Sequence, residues 1–339
     1  MYDDNSLYRY RRLGILGSGQ LARMLAEAAL RQDLRVAVLS PDGEVPAAIP
    51  GVHLHRGRPD DTVDLQRFCR SCDVLTIENE FLDTQVLGRI QVAQPQLRIR
   101  PGPTAIALAQ DKLAQKDTFQ RLHIATADFQ PVSSDSIVQQ RSDLERRFPA
   151  GFLLKWSRFG YDGRGNLPVT PDTPTIDLVR FCRAGEVAGA RIYAEERIAF
   201  IAECAMVAIR SAGGSMRFLP LTWTRQEAGV CLEVVAPGAC LGLPASAVAT
   251  AQRVVHSLAD SWQFCGSLAV EFFLTRSGQL LVNEVAPRVH NTGHFSLYSG
   301  LVSQFDLHVQ AVMDLPLAVP RYPQPQIMRN IPCPAEDPP

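Results

Sequence analysis

The chain has 339 residues, enough for two domains at roughly 150 residues each, or for three small ones. Lys and Arg number 34 and Asp and Glu 35, so the net charge of −1 creates no field that would gather nucleic acid or an anionic membrane. No apolar run approaches the ~20 residues that cross a bilayer, and the polar opening MYDDNSLYRYRR lacks the apolar middle of a signal peptide. We therefore expect a cytoplasmic protein without nucleic-acid or membrane partners.

The first hundred residues predict an open parallel sheet. Residues 13–39 read as an apolar run, a glycine turn, an amphipathic helix and a second apolar run, which together form a β-α-β unit. Further apolar runs begin at Cys72 and Leu97, each followed by turn or cap residues. We assign residues 1–102 to a Rossmann-like N-terminal domain.

The glycine turn in this first unit is a candidate anion site. Gly17, Gly19 and Ala22 fit the pattern GxGxx(G/A) between a strand and a helix, with Gln20 at the helix start. Such glycines let the backbone approach an anion, which the amino terminus of a helix favours. From this motif alone, three interpretations stay open: a nucleotide cofactor, another phosphate-bearing ligand, or merely a tight strand-to-helix turn.

Two carboxylates follow the apolar run Val74–Ile77. Glu78 and Glu80 stand beyond the carboxyl end of a predicted parallel strand, where open sheets bind ligands. They could hold an amine or a hydroxyl group of a substrate. The alternative is a solvated loop.

The next region combines lysines with a glycine-rich loop. A helix predicted from Pro103 to Leu122 carries Lys112 and Lys116 four residues apart on one face. Further on, Lys155 ends a predicted strand and is followed by the loop Gly160–Gly165, which contains three glycines. A mobile loop of this kind can close over phosphates while the lysine supplies a positive charge.

A predicted β-hairpin brings two further carboxylates together. A two-residue turn at Ser277 and Gly278 sets a register in which Glu271 lies directly opposite Glu284. Two like charges about 4.5–5.5 Å apart are destabilising unless a cation lies between them. Carboxylate oxygens suit Mg²⁺, so we predict a magnesium site. A solvent-exposed pair is the alternative, and a slip of one residue in register would remove the argument.

Polar residues follow this hairpin at once. Arg288 offers a planar fork for a carboxylate or bicarbonate, and His290 could transfer protons near neutral pH. His290 and His294 have the spacing of a helical zinc site, but Gly293 argues against a helix there.

Several segments, taken together and in order, resemble the ATP-grasp superfamily and, within it, the 5-(carboxyamino)imidazole ribonucleotide synthase family. The resemblance runs from about Leu13 to Leu317. The segments that carry it are GSGQLARM at 17–24, AQDKLAQK at 109–116, GYDGRG at 160–165, VEFF at 270–273, NEVAPRVHNTGH at 283–294 and SQFDLHVQAV at 303–312.

The resemblance implies a two-lobed α+β ATP-grasp domain over residues 103–318, with ATP and Mg²⁺ between the lobes. It implies carboxylation of 5-aminoimidazole ribonucleotide by bicarbonate through carboxyphosphate, by a homodimeric ligase of purine biosynthesis. Mg²⁺ would be held by Glu271 and Glu284, and catalytic roles would fall to Arg288, His290, Asn291, Tyr161 and Asp162. Tyr161 and Asp162 would face the ribonucleotide together with Gly17, Gln20, Glu78 and Glu80. The implied ATP contacts are Lys112, Lys155, Gly160, Gly163, Gly165, Glu195, Glu196, Arg197, Ile198, Glu203 and Asn283.

Three departures from the family pattern bear on this interpretation. Trp223-Thr224-Arg225-Gln226 stands where the family usually has an Asn and a His, and Phe81 stands where it has an Asn. The family also continues past Met328 into a small β-rich region with a basic cluster for the substrate phosphate, so we expect a truncated C-terminal domain. Residues 319–339 are rich in proline and predict an irregular tail.

Two other functions remain open from the sequence. One is an ATP-grasp ligase that acts on a different amine or carboxylate. The other is a nucleotide-binding homologue that has lost turnover together with its C-terminal region. A Rossmann oxidoreductase is disfavoured because Glu271, Glu284 and Arg288 would have no role in it.

Overall fold

The first sheet is parallel throughout, which confirms the predicted Rossmann-like architecture. The computed structural model describes residues 11–160, 165–227, 229–298 and 302–331. The strands of this sheet lie in the order β3-β2-β1-β4-β5, with bounds β1 Arg12–Leu16, β2 Arg35–Ser40, β3 Val52–Arg56, β4 Val74–Ile77 and β5 Arg98–Ile99. The helices that link them are α1 Gln20–Leu30, α2 Thr62–Cys69 and α3 Thr84–Ala93. β1 and β4 are apolar and almost wholly buried, as expected of central strands in a parallel sheet.

The helix predicted from Pro103 to Leu122 is in fact two helices. Their bounds are α4 Pro103–Ala109 and α5 Lys112–Arg121. The break arises because the Asp111 carboxylate accepts the backbone N–H groups two and three residues further on, at 2.9 and 3.2 Å, and so begins a new helix. Lys112 therefore lies in the first turn of α5.

A small antiparallel sheet follows. Its strands lie in the order β6-β9-β7-β8, with bounds β6 Phe129–Val132, β7 Phe152–Trp156, β8 Asn166–Val169 and β9 Ile192–Glu196. Two helices pack on it, α6 Ile137–Arg147 and α7 Thr175–Val187. Their apolar residues form a separate core with the sheet, in which Leu144, Phe152 and Leu178 are buried.

The largest sheet is antiparallel and carries the predicted hairpin at one edge. Its main path is β15-β14-β10-β12-β13-β16, and β11 pairs with β10. The bounds are β10 Phe200–Arg210, β11 Met216–Phe218, β12 Thr222–Glu227, β13 Val230–Ala236, β14 Gly266–Thr275, β15 Leu280–Ala286 and β16 Gln326–Arg329. Helix α8, Ala245–Ser261, packs on this sheet through a face that contains Ala251, Val255 and Leu258. Two 3₁₀ helices span Gly238–Leu241 and Asn291–Leu297.

The last helix, α9 Gln304–Val312, connects this part of the chain to the N-terminal sheet. Phe305 and Val309 of α9 are buried in the same core as Leu13 and Ile15 of β1. His308 is fully buried, with Nε2 2.8 Å from the Thr76 hydroxyl of β4 and Nδ1 accepting the Ser267 N–H of β14 at 3.0 Å. The division of the chain into residues 1–102 and 103–318 stays a prediction.

The expectation of an irregular tail over residues 319–339 is wrong for one segment. Residues 326–329 form β16, which pairs antiparallel with β13 from Glu233–Arg329 to Ala236–Gln326. The prolines around it favoured an irregular segment, and a strand of only four residues gives too short a pattern to predict. Among the described residues, no helix is both long and apolar enough to cross a membrane.

Candidate active site

A cleft of about 920 Å³, measured out to its open mouth, lies where the three sheets meet. The N-terminal sheet contributes Glu80, which follows β4. The small sheet contributes residues 157–160, which follow β7, and the large sheet contributes Glu271 and Glu284. Arg288, in the segment after β15, also lines it. The cleft thus brings together predicted site residues that lie more than 200 positions apart in the sequence.

The hairpin has the predicted carboxylate pair, although its turn differs from the prediction. The Thr275 N–H donates to the carbonyl four residues later at 2.9 Å, so the loop has three residues, 276–278, and not two. That turn alone would shift the pairing by one residue. A β-bulge at Asn283 shifts it back, and Glu271 lies opposite Glu284. The prediction was therefore right about the pair and wrong about the turn.

The two carboxylates differ in their electrostatic surroundings. Glu284 forms an ion pair with Lys112, which holds the pKa of Glu284 well below its usual range against the effect of burial. Glu271 accepts a hydrogen bond from the Gln226 amide at 3.3 Å and faces His290 Nε2 at 3.5 Å. Burial, together with the charge of Glu284, raises the pKa of Glu271. The protein therefore neutralises Glu284, whereas no Lys or Arg among the described residues forms an ion pair with Glu271.

Lys112 is fixed at both ends. Its backbone N–H donates to the Ser157 carbonyl beyond β7 at 2.7 Å, which ties α5 to the small sheet. Burial lowers the pKa of its ammonium group, but the Glu284 carboxylate outweighs this effect and leaves the pKa above its usual value. Lys112 is therefore a cation held over the carboxylate pair.

The second predicted phosphate ligand, Lys155, belongs to a buried cluster that the sequence did not predict. Lys155 and Lys116 each form an ion pair with one oxygen of Glu195, the latter at 2.6 Å. Burial opposes the charge of Glu195, but the two ammonium groups lower the pKa of this carboxyl group overall. In the sequence, the four-residue spacing of Lys112 and Lys116 drew attention to Lys116. That spacing did not identify Glu195 as its partner.

Arg288 and Glu80 join the large sheet to the N-terminal sheet. Arg288 Nε donates to a Glu80 oxygen at 2.7 Å, and both side chains line the cleft. The groups predicted to recognise bicarbonate and a substrate amine are therefore paired with each other. Lys112 lines the same cleft as this pair.

His290 is held in one orientation but is not a neutral-pH titrating group. The Thr292 N–H donates to its Nδ1 at 3.5 Å, so Nε2 carries the proton and faces Glu271. Burial, with a contribution from the Arg288 charge, lowers the pKa of His290 to about 3. The expectation that His290 carries protons near neutral pH is therefore wrong for the ligand-free site. Asn291 lines the cleft beside it.

The glycine turn accommodates a side chain of the protein itself. Gly19 N–H donates to a Glu78 oxygen at 2.9 Å, and a Cβ atom at Gly17 or Gly19 would lie within 2.4 Å of that carboxylate. Gly17 also has φ +117°, which favours glycine. The amino end of α1 thus already has an anionic neighbour, and Gln20 is exposed at its first position. Of the three interpretations, this geometry favours a tight turn shaped around Glu78.

The remaining predicted residues are placed as follows. Glu203 shares a sheet face with Glu271, because Ala205, two residues beyond it, pairs with Glu271. Burial raises the pKa of Glu203. Glu196 ends β9, Arg197 and Ile198 follow it outside the strand, and Asn283 is the bulged residue of the hairpin.

The glycine-rich loop is described only at its ends. A Cβ atom at Gly165 would lie 3.1 Å from Gly160 Cα, so the two ends of the loop meet closely. Tyr161, Asp162 and Gly163, for which roles were predicted, lie outside the described residues. Among those described, no group of three or more His, Cys, Asp and Glu residues has the arrangement of a metal site.

Comparisons with known proteins agree with this architecture. A model of the ribonucleotide synthetase preATP-grasp domain matches residues 10–110, and a model of the ATP-grasp domain matches residues 117–305. Phosphoribosylaminoimidazole carboxylase of Saccharomyces cerevisiae is 35% identical over 311 residues, which cover 91% of this chain and 52% of that protein. The chain thus spans about half the length of this relative.

Shorter relatives and solved structures match more completely. N5-carboxyaminoimidazole ribonucleotide synthase of Mycobacterium bovis is 34% identical over 90% of this chain and 69% of its own length. The Aspergillus clavatus synthase in complex with ADP and 5-aminoimidazole ribonucleotide superposes with a TM-score of 0.85 at 27% identity, over 96% of this chain and 83% of that one. By these matches, this chain belongs to the ATP-grasp family and, within it, to the N5-carboxyaminoimidazole ribonucleotide synthases.

Proposed function

We propose that this chain uses ATP and bicarbonate to carboxylate the exocyclic amine of 5-aminoimidazole ribonucleotide, giving N5-carboxyaminoimidazole ribonucleotide, ADP and phosphate. The observation that carries the proposal is the opposed pair Glu271 and Glu284, with Lys112 at Glu284, in one cleft with Arg288 and Glu80. Such a cleft can hold a metal-bound triphosphate beside an anion and an amine. Several matching proteins are named for this reaction, which supports the proposal.

The carboxylate pair fits Mg²⁺. Glu271 is a half-buried carboxylate that forms no ion pair with a Lys or Arg in the described part of the chain, and the opposing carboxylate of Glu284 raises its pKa further. A hard divalent cation with oxygen ligands would remove that repulsion. Glu271 and Glu284 would hold the ion, which would supply charge neutralisation to the phosphates during transfer.

The chain's own cations act on the phosphates. Lys112 and Lys155 bind the phosphate oxygens of ATP, and their charges offset the negative charge that develops as the γ-phosphate is transferred. A bicarbonate oxygen attacks the γ-phosphorus, the bond to the β-phosphate oxygen breaks, and carboxyphosphate and ADP result. Arg288 orients bicarbonate through its planar fork once the anion displaces Glu80.

The second step joins carbon to nitrogen. The exocyclic amine attacks the carbonyl carbon of carboxyphosphate, the bond from that carbon to the phosphate oxygen breaks, and the proton that the amine loses passes to the departing phosphate, which leaves the carbamate. Glu80, which lines the cleft, would accept a hydrogen bond from this amine once it is freed from Arg288. His290 Nε2 lies 3.5 Å from a Glu271 oxygen, so the ring would help to hold that carboxylate in place. Closure of the 160–165 loop would exclude water, to which carboxyphosphate would otherwise be lost.

One assay separates the proposal from its alternatives. ADP release is measured with bicarbonate, with and without 5-aminoimidazole ribonucleotide. Release that depends on the ribonucleotide supports the proposal. Release that ignores it favours an ATP-grasp ligase with another substrate, and ATP binding without release favours a homologue that has lost turnover. The homodimer stays a prediction of the resemblance, and the cytoplasmic location stays a prediction from the sequence.

A further inference from the structure

We propose that Lys116 is a positioning residue for ATP: it neutralises Glu195 from the buried side, so that the charge of Lys155 remains available to the phosphates. The proposal rests on the proposed function for the role of Lys155. It concerns a lysine to which neither the sequence nor the proposed mechanism gives a task. Lys116 is 1% exposed, so it cannot itself contact a nucleotide.

The three charged groups form one buried chain. Glu195 is 3% exposed and lies between the two ammonium groups, with one carboxylate oxygen towards Lys116 at 2.6 Å and the other towards Lys155. Two cations and one anion leave a net charge of +1. Because the cluster is buried, this charge is poorly screened by solvent.

The two lysines have different surroundings. Lys116 also donates to the Thr126 hydroxyl at 2.6 Å, and that hydroxyl donates to the Val282 carbonyl of β15 at 2.7 Å. Lys116 is therefore fixed to the large sheet. Lys155 is partly exposed, with Glu195 as its partner in the part of the chain that the structure describes. An ammonium group has three N–H donors, so Lys155 retains donors for a ligand.

Removing the charge of Lys116 would change what ATP encounters. Glu195 and Lys155 would then form an ion pair with no net charge. Such a pair attracts the negatively charged phosphates less strongly than a cluster with a net charge of +1. A buried carboxylate with one cation also binds that cation more strongly, which opposes its transfer to a phosphate. Lys116 would thus support ATP binding without touching ATP.

The test measures the dissociation constant of ATP by calorimetry, without bicarbonate or ribonucleotide, so that no turnover is needed. Lys116→Met should weaken ATP binding about tenfold, the effect of losing one unit charge near the phosphates at an effective dielectric constant of about 20. Lys116→Arg, which keeps the charge, should restore most of the affinity. In steady-state assays the KM for ATP should rise in Lys116→Met, with a smaller change in kcat.

The double variant Lys116→Met with Glu195→Gln is the decisive case. Removing both charges leaves Lys155 as an unpaired cation, so the double variant should bind ATP better than Lys116→Met alone. It also removes the buried carboxylate that would make the single variant unstable. No recovery of affinity in the double variant would overturn the proposal.

Thr126→Val is the matched structural control. It removes a hydroxyl that bonds Lys116 and leaves every charge in place, so it should lower thermal stability without changing ATP affinity. If Thr126→Val and Lys116→Met lost the same ATP affinity, the effect of Lys116 would be structural and the proposal would be overturned. A wild-type protein that binds ATP but makes no ribonucleotide-dependent ADP refutes only the proposed reaction, whereas one that binds no ATP refutes both.

Discussion

Glu271→Gln should stabilise the ligand-free protein while it abolishes turnover. Glu271 lies opposite Glu284, so their Cβ atoms are about 5 Å apart. Two unit charges at that separation repel each other by about 3 kcal/mol at an effective dielectric constant of about 20. Lys112 already neutralises Glu284, which reduces the repulsion, so we expect the unfolding free energy to rise by about 1 to 2 kcal/mol.

The assay is urea unfolding at pH 8 in EDTA, with Glu284→Gln as the matched variant. Glu284→Gln should have the opposite sign, because it leaves the half-buried Lys112 without its carboxylate partner. Burial and the Glu284 charge raise the pKa of Glu271 above its ordinary value of 4.5. The charge of Glu271 therefore destabilises the fold increasingly as pH rises through this raised pKa, and the gain in Glu271→Gln should be absent below pH 4.5.

The effect of Mg²⁺ on the unfolding free energy is a second test of the carboxylate pair. Added Mg²⁺ should raise the unfolding free energy of the wild-type protein, because it binds the folded carboxylate pair and not the unfolded chain. It should have little effect on Glu271→Gln. Our account of the pair would be refuted by a Glu271→Gln protein that is less stable than wild type in EDTA at pH 8, or by equal stabilisation of both proteins by Mg²⁺.

Three further changes test other parts of the molecule. Glu284→Ala should show no ADP formation with an unchanged circular dichroism spectrum, and wild-type turnover would contradict its assignment. Arg288→Lys keeps the charge but loses the planar fork, so the KM for bicarbonate should rise about tenfold or more while the KM for ATP stays constant; a parallel rise in both would contradict a bicarbonate site. Burial lowers the pKa of His308 to about 4, so the neutral ring stabilises the fold fully above pH ~6.5, and about 3 kcal/mol is lost as pH falls towards 4. His308→Gln keeps a hydrogen-bond donor and an acceptor but does not titrate. Its unfolding free energy, measured with urea, should therefore fall by about 3 kcal/mol less than that of wild type between pH 6.5 and pH 4. Identical pH profiles of the two proteins would refute the assignment.

The carboxylate pair shows what sequence reasoning can and cannot reach. Alternation along β14 and β15 predicts that Glu271 lies opposite Glu284 only if the length of the turn and any bulge are both known. The three-residue loop at 276–278 and the bulge at Asn283 cancel, so a wrong turn led to the right pair. A bulge has no reliable sequence signal, because it depends on which residue the neighbouring strand leaves unpaired.

The buried ion pairs were beyond prediction for a different reason. Spacing on α5 put Lys112 and Lys116 on one face, and the structure sends the first to Glu284 and the second to Glu195. Those partners come from β15 and β9, at sequence separations that no local pattern encodes. Glu78 is similar, since the two glycines that receive it lie about 60 residues earlier.

The residues of the site are positioned in two ways: some by the buried core around α9, and Lys155 by ion pairs. Glu80 follows β4 and Arg288 follows β15, and His308 of α9 bonds to β4 and to β14, the partner strand of β15. Glu80 and Arg288, for which we propose amine and bicarbonate binding, are thus positioned by a continuous buried core. Lys155 is connected to that core through Glu195 and Lys116, that is, through ion pairs. A change in the α9 core therefore acts on the unfolding free energy of the whole frame, whereas a change at Lys116 acts on the position and charge offered to the nucleotide.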